Sequence, residues 1–207
     1  MFHVLNNIRV VLVGTLYSGN VGSVCRAMAN MGIRDLALAG PQICDDWSEA
    51  ARLAVHATDI LGARRETATL AEAVADCAWV VGTTARGGLY RQHVKTPREA
   101  APELLRLADG GKVALVFGRE DKGLLNDEIG QCTHLLRIPA HPDYTSLNLA
   151  QAVLLCGYEL YCALGAYEPP VEKSPPALAA HKHKLLEKWR EMLLLIGFMK
   201  EDKADHM

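Results

Sequence analysis

Short apolar runs alternate with helical patterns along this chain, and that alternation restricts its fold more than any other feature. Residues 8–13 (IRVVLV) hold five apolar residues and one charge, Arg9. A continuous run of this kind reads as a strand buried on both faces. Comparable runs follow at 36–39, 78–83, 113–117 and 134–138. Between them lie helical stretches. In 21–31, Val21, Val24, Cys25, Met28 and Met31 recur at helical spacing, with Asn20 as N-cap and Gly32 just past the end. Residues 48–54 (capped by Ser48 or Asp46), 58–66, 69–75, 97–107 (Pro97 in its first turn) and 148–164 also read as helical. A further helix-like segment lies between Lys122 and the run at 134. Such alternation predicts an α/β domain whose mostly parallel sheet is flanked by helices.

At residue 165 the composition changes. Four prolines fall between 169 and 176 and forbid helix or sheet, so 166–177 reads as a semi-rigid linker. Beyond it, Leu185, Trp189, Met192, Leu193 and Ile196 share one helical face, which has to be buried on the domain or on a second subunit. The expected organisation is a domain at 1–165, the linker, and a C-terminal helix with a disordered tail at 178–207. The net charge of -2 argues against general polyanion binding but allows a local basic face. The six cysteines match no zinc or redox spacing and read as small buried hydrophobes. The start, MFHVLNNIRVVLVG, reads as a strand rather than a signal peptide, and no apolar stretch is long enough to span a bilayer. The expected setting is a reducing cytoplasm, away from membranes.

Polar residues gather where the runs end, and in an open α/β sheet that edge is where ligands bind. Gly118, Arg119 and Glu120 follow one run. Thr83, Thr84, Ala85 and Arg86 end another. Ser146, Leu147 and Asn148 open the helix at 148. Each has a plain alternative. Gly118 serves a turn, or lets a ligand approach the backbone. Ser146 and Asn148 are good caps. Arg26, on a largely apolar helix, reaches solvent or pairs with an acid. The loop 86–98 carries Arg86, Arg91, Lys95 and Arg98 with Tyr90 and His93, which suits phosphate contacts and base stacking, or simply a solvated loop. Residues 14–22 (GTLYSGNVG) match neither a P-loop nor the dinucleotide fingerprint. No H-E-x-x-H pair and no G-x-S-x-G elbow occurs, so neither a metal nor a serine nucleophile is indicated.

Three ordered segments carry a resemblance: Asn20-x-Gly22-x-x-x-Arg26; then Val116-Phe117-Gly118-Arg119-Glu120-x-x-Gly123-Leu124; then Ile138-Pro139 with Ser146-Leu147-Asn148-Leu149-Ala150-Gln151-Ala152. Together they resemble the three motifs of the SpoU (TrmH-like) branch of the SPOUT RNA methyltransferases, over residues 6–165. The surrounding sequence is most similar to the tRNA 2′-O-methylating members of that branch. The resemblance implies a deep trefoil knot at 117–164, a homodimer, and S-adenosylmethionine as cofactor with no metal. It places the cofactor against Thr83, Thr84, Ala85, Gly118, Ile138, Thr145, Ser146 and Leu147. It makes Arg26, Asn20, Glu120, Ser146 and Asn148 the catalytic set. It implies RNA contacts from Arg26, Arg86, Arg91, Lys95 and Arg119. The implied substrate is tRNA in its anticodon-loop region; a ribosomal RNA substrate, or a catalytically silent RNA-binding role, are the alternatives.

Overall fold

Strands that are apolar on both faces are stable only inside a sheet covered by helices. The computed structural model, which describes residues 2–43, 46–85, 94–165, 167, 169 and 176–198, has that arrangement. Its elements alternate as expected. After a short 3-10 turn (Phe2–Asn7) come β1 (Ile8–Val13), α1 (Ser18–Asn30), β2 (Asp35–Ala39), α2 (Ser48–Ala54), α3 (Thr58–Gly62), β3 (Arg65–Thr67), α4 (Leu70–Ala73) and β4 (Trp79–Thr83). Then follow α5 (Pro97–Gly110), β5 (Val113–Phe117), α6 (Asn126–Ile129), β6 (His134–Leu136), α7 (Leu149–Ala163) and α8 (Ala179–Leu195). The sheet has the order β3-β2-β1-β5-β4-β6, and every neighbouring pair is parallel. Val10 stands opposite Leu36 on one side and Leu115 on the other.

The two faces of the sheet follow the period of two along each strand. Ile8, Val10 and Leu12, with Val113, Leu115 and Phe117, face α1, α5 and α7 and build the larger core. Val11 and Val13, with Ala114 and Val116, face the opposite way against Leu70 and Ala73 of α4 and against Leu124. A fully buried side chain of the size of Leu12 or Leu115 contributes roughly 1.5–3 kcal/mol, so the central strands hold the layers together. α1 ends in a Schellman arrangement: Ile33 N–H donates to Met28 O at 3.0 Å and Gly32 N–H to Ala29 O at 3.2 Å. α5 begins with a capping box between Thr96 and Glu99.

Several elements differ from the expected ones. Asn20 is not an N-cap. α1 starts three residues earlier than expected, at Ser18 behind Tyr17, which makes no side-chain cap bond. α2 is preceded by Trp47, while Asp46 accepts the Ser48 N–H at 3.0 Å. Residues 58–66 divide into α3 and the start of β3. β3 was hidden because its Arg65 and Glu66 are exposed and charged; it is a strand through its pairing with β2, not through any apolar pattern. β6 stops at Leu136, so Ile138 lies in the loop beyond it.

Arg9 is fully buried in β1. Its Nε donates to Asp35 Oδ2 at 3.0 Å, its Nη1 to Ala73 O at 2.8 Å, and its Nη2 to Asp76 Oδ2 at 2.9 Å. Lys112 Nζ also binds Asp76, at 2.7 Å. A buried cation is tolerable only with such partners. This cluster ties β1 to β2 and to the turn before β4.

The chain divides into two compact units, Met1–Tyr167 and Glu168–Met207. In the second unit α8 has no buried residue, and Leu185, Trp189 and Met192 are exposed. No described helix is long and apolar enough to cross a membrane.

Candidate active site

The site lies beyond the carboxyl ends of β4, β5 and β6, the edge at which open α/β sheets bind ligands. Three loops enclose a cleft of about 290 Å³. The first follows β4, where Thr83 Oγ1 donates to Val116 O at 3.0 Å and Thr84 N–H to Leu136 O at 2.9 Å. The second follows β5. Arg119 and Gly123 exchange backbone bonds of 3.2 and 2.9 Å, which folds 119–123 into a tight turn. Gly118 sits against that turn: a Cβ there would lie 2.1 Å from Gly123 C. The backbone that approaches Gly118 so closely is therefore the chain's own. The third loop, after β6, supplies Ile138, Thr145, Ser146 and Leu147. All eight residues expected to hold a cofactor line this one cleft, as does Glu120.

On the rim, three side chains from distant parts of the sequence are joined. Asn148 is the N-cap of α7, and its Oδ1 accepts from Ala150 N–H at 2.9 Å and Gln151 N–H at 3.4 Å. Capping commits the amide oxygen, so the Nδ2 side must face outward, and it donates to Asn20 Oδ1 at 3.2 Å. Asn20 in turn donates from Nδ2 to Glu120 Oε1 at 2.8 Å. Glu120 Oε2 accepts the Leu16 N–H at 3.2 Å. A carboxylate accepts only, so the direction of the whole chain of bonds is set from both ends.

Arg119 turns the other way. Its Nη1 donates to both oxygens of Glu128, at 2.9 and 3.0 Å, with both side chains largely buried. Its guanidinium lies across Gly14, where a Cβ would come within 2.5 Å of Nε. It was expected on an RNA face; it is found holding the 118–128 loop to the end of β1. Lys95, also expected to meet RNA, is exposed and paired with Glu103 at 2.7 Å. Arg86 and Arg91 lie outside the described residues. Ser146 is exposed at the cleft. Arg26 is exposed on α1, and its side chain makes no hydrogen bond or ion pair with another described residue. Six residues separate it from Asn20, which turns it by about 240° and shifts it about 9 Å along the helix, so it is not a member of the rim network.

Two members of the site escaped sequence reasoning. Leu16 acts through its backbone N–H, which leaves no trace in residue type. Glu128 follows Arg119 by nine residues and is one acid among several. No described group of His, Cys, Asp and Glu could hold a metal. Burial pushes the Cys25 and Cys156 thiols up to about 12 and the Cys132 thiol up to about 11, so these three stay protonated and offer no nucleophile.

Parallel strands under helices, with a small-molecule cleft at their carboxyl edge and an amide–carboxylate network on its rim, define an α/β protein built to hold a ligand between three loops. The chain belongs to the SpoU rRNA Methylase family, whose model matches residues 7–158. It is 41% identical over 200 residues to the tRNA (cytidine/uridine-2′-O-)-methyltransferase TrmJ of Pectobacterium atrosepticum, covering 95% of this chain and 83% of that protein. Among solved structures it is similar to a probable methylase family protein from Haemophilus influenzae, with 39% identity, a TM-score of 0.73, and 95% and 83% of the two chains covered. It is also similar to TrmJ from Z. mobilis, with 33% identity, a TM-score of 0.70, and 96% and 85% covered.

Proposed function

We propose that this protein transfers the methyl group of S-adenosylmethionine to a ribose 2′-hydroxyl of tRNA, in the anticodon-loop region. The observation that carries this reading is the Glu120–Asn20–Asn148 network on the rim of the three-loop cleft. The TrmJ relative of Pectobacterium atrosepticum is named as a tRNA methyltransferase, which favours tRNA over ribosomal RNA. The cleft suits the cofactor. Phe117, Leu124, Ile138 and Leu149 offer apolar surface to an adenine and a methionine chain, and Thr84, Thr145 and Ser146 offer polar groups to a ribose.

The bound sulfonium supplies an electrophilic methyl group, so the chain's own task is to orient the hydroxyl and to meet the charge that develops on it. The rim network fixes the 118–123 loop, the first turns of α1 and the start of α7 in one arrangement. Arg26 is the cation. Arginine has no lone pair and does not deprotonate in proteins, so it stabilises a forming alkoxide or the neighbouring phosphate rather than taking the proton. Ser146 and Asn148 position the RNA backbone. Lys95, Arg86 and Arg91 supply phosphate contacts.

The same reading carries a domain at 1–165, a linker at 166–177 and a helical extension at 178–207. It also carries a deep trefoil knot at 117–164. In support, the chain passes β4 to reach β6 at the sheet edge, and α7 then returns to pack on α1 and α5. A homodimer fits the exposed Leu155 and Tyr158 of α7, and a cytoplasmic setting fits a tRNA substrate. The test is transfer of tritium from labelled S-adenosylmethionine to bulk tRNA and, separately, to ribosomal RNA. Label is expected in tRNA. Label in ribosomal RNA alone, or in neither with tight cofactor binding, would sink the proposal.

A further inference from the structure

Tyr144 stands one residue before the cleft wall formed by Thr145, Ser146 and Leu147. Its side chain is 81% exposed, more than any other large apolar side chain described in the Met1–Tyr167 unit. A ring so exposed contributes nothing to the core. Its backbone is nevertheless held in a turn. Tyr144 N–H donates to His141 O at 2.9 Å, and Asp143 N–H donates to His141 Nδ1 at 3.3 Å. Four residues further on, Asn148 joins the rim network. The ring is thus carried on the solvent side of the same loop that supplies the cleft wall and the network.

A loop nucleotide whose ribose enters a narrow cleft leaves its neighbours in the RNA stack, and its base then gains from a new aromatic face. We propose that Tyr144 is a substrate-positioning residue that stacks on the base of the nucleotide whose ribose is methylated. This rests on the reading of the protein as a tRNA ribose methyltransferase. Stacking uses the face of a base and not its edge, so it orients the nucleotide without demanding one base identity.

The experiment compares wild type, Tyr144→Ala and Tyr144→Phe on an unmodified tRNA transcript, and on the same tRNA with the base removed from the target nucleotide. Wild-type transfer to the intact tRNA is measured first; its absence overturns the methyltransferase reading itself, and this inference with it. On intact tRNA, Tyr144→Ala is expected to lower kcat/KM about 5- to 150-fold, the range that removal of a stacking aromatic produces, mainly through KM. Tyr144→Phe restores it. On the abasic tRNA, wild type and Tyr144→Ala are expected to be equal, because the partner of the ring is gone. An equal loss on both RNAs, no loss on intact tRNA, or failure of Tyr144→Phe to restore KM overturns the proposal. So does a weakened S-adenosylmethionine affinity of Tyr144→Ala by calorimetry, which would mean a collapsed cleft wall.

Discussion

Arg119 and Glu120 are neighbours with different tasks. Arg119 turns inward to Glu128 and lies over Gly14, while Glu120 reaches the rim to Asn20 and Leu16. In the sequence they are two adjacent charges after a strand, and nothing local distinguishes them. What separates them is which acceptor or donor each meets, across one hundred positions or more for Glu120 against nine for Arg119. Arg26 is the contrasting case: exposed, and outside the network. If it serves only the reacting hydroxyl, Arg26→Ala abolishes methyl transfer and leaves S-adenosylmethionine affinity nearly intact. Calorimetry checks this; an equal loss of cofactor affinity would refute that division of labour.

At the scale of elements, α7 shows how a cap and a site share one residue. Asn148 was legible as a cap from its place before an apolar helix, and it is one. Its second bond, to Asn20, was not legible, because 128 residues separate the two. The two roles can be divided. Asn148→Ala loses the cap, about 1 kcal/mol, which corresponds to a melting shift of about 2–4 °C for a chain of this size, and it loses the donor to Asn20. Asn148→Asp keeps a capping oxygen, with a negative charge that suits a helix N-terminus, but sets an acceptor where the donor to Asn20 stood. Thermal melts are expected to return toward wild type in Asn148→Asp while methyl transfer stays low. Recovery of both would mean that the network bond is dispensable. Elsewhere, helix ends with local chemistry were readable, as at Gly32 and Pro97, whereas β3 was not, since it exists only by pairing with β2.

For the molecule as a whole, the Arg9 cluster connects stability to pH. The Arg9 guanidinium, with help from Lys112, holds the Asp76 carboxyl well below the usual carboxylate range. A carboxylate depressed in the folded state stabilises the fold above its unfolded value of about 3.9, and that stabilisation is lost as the pH falls toward the folded value. The wild type is therefore expected to lose stability below about pH 4. Asp76→Asn, which has no such group, is expected to be less stable at pH 7 and to fall less steeply between about pH 4 and 2. Urea midpoints across that range check it; parallel slopes for the two proteins would show that Asp76 is not the group responsible.

The layers follow from residue type and spacing. Five of the six strands and the principal helices follow from apolar runs and 3.6-residue periodicity, because burial is a property each segment carries locally. Strand ends and ordered motifs also pointed to the loops that meet at the cleft. The rest emerges only in the folded chain: the placing of β6 beside β4, the partners of Arg9, the inward turn of Arg119, and the bonds from Asn148 through Asn20 to Glu120 and Leu16. The reason is physical. A hydrogen bond or an ion pair depends on a few tenths of an ångström between groups far apart in the chain, and no local pattern of residue types specifies that distance.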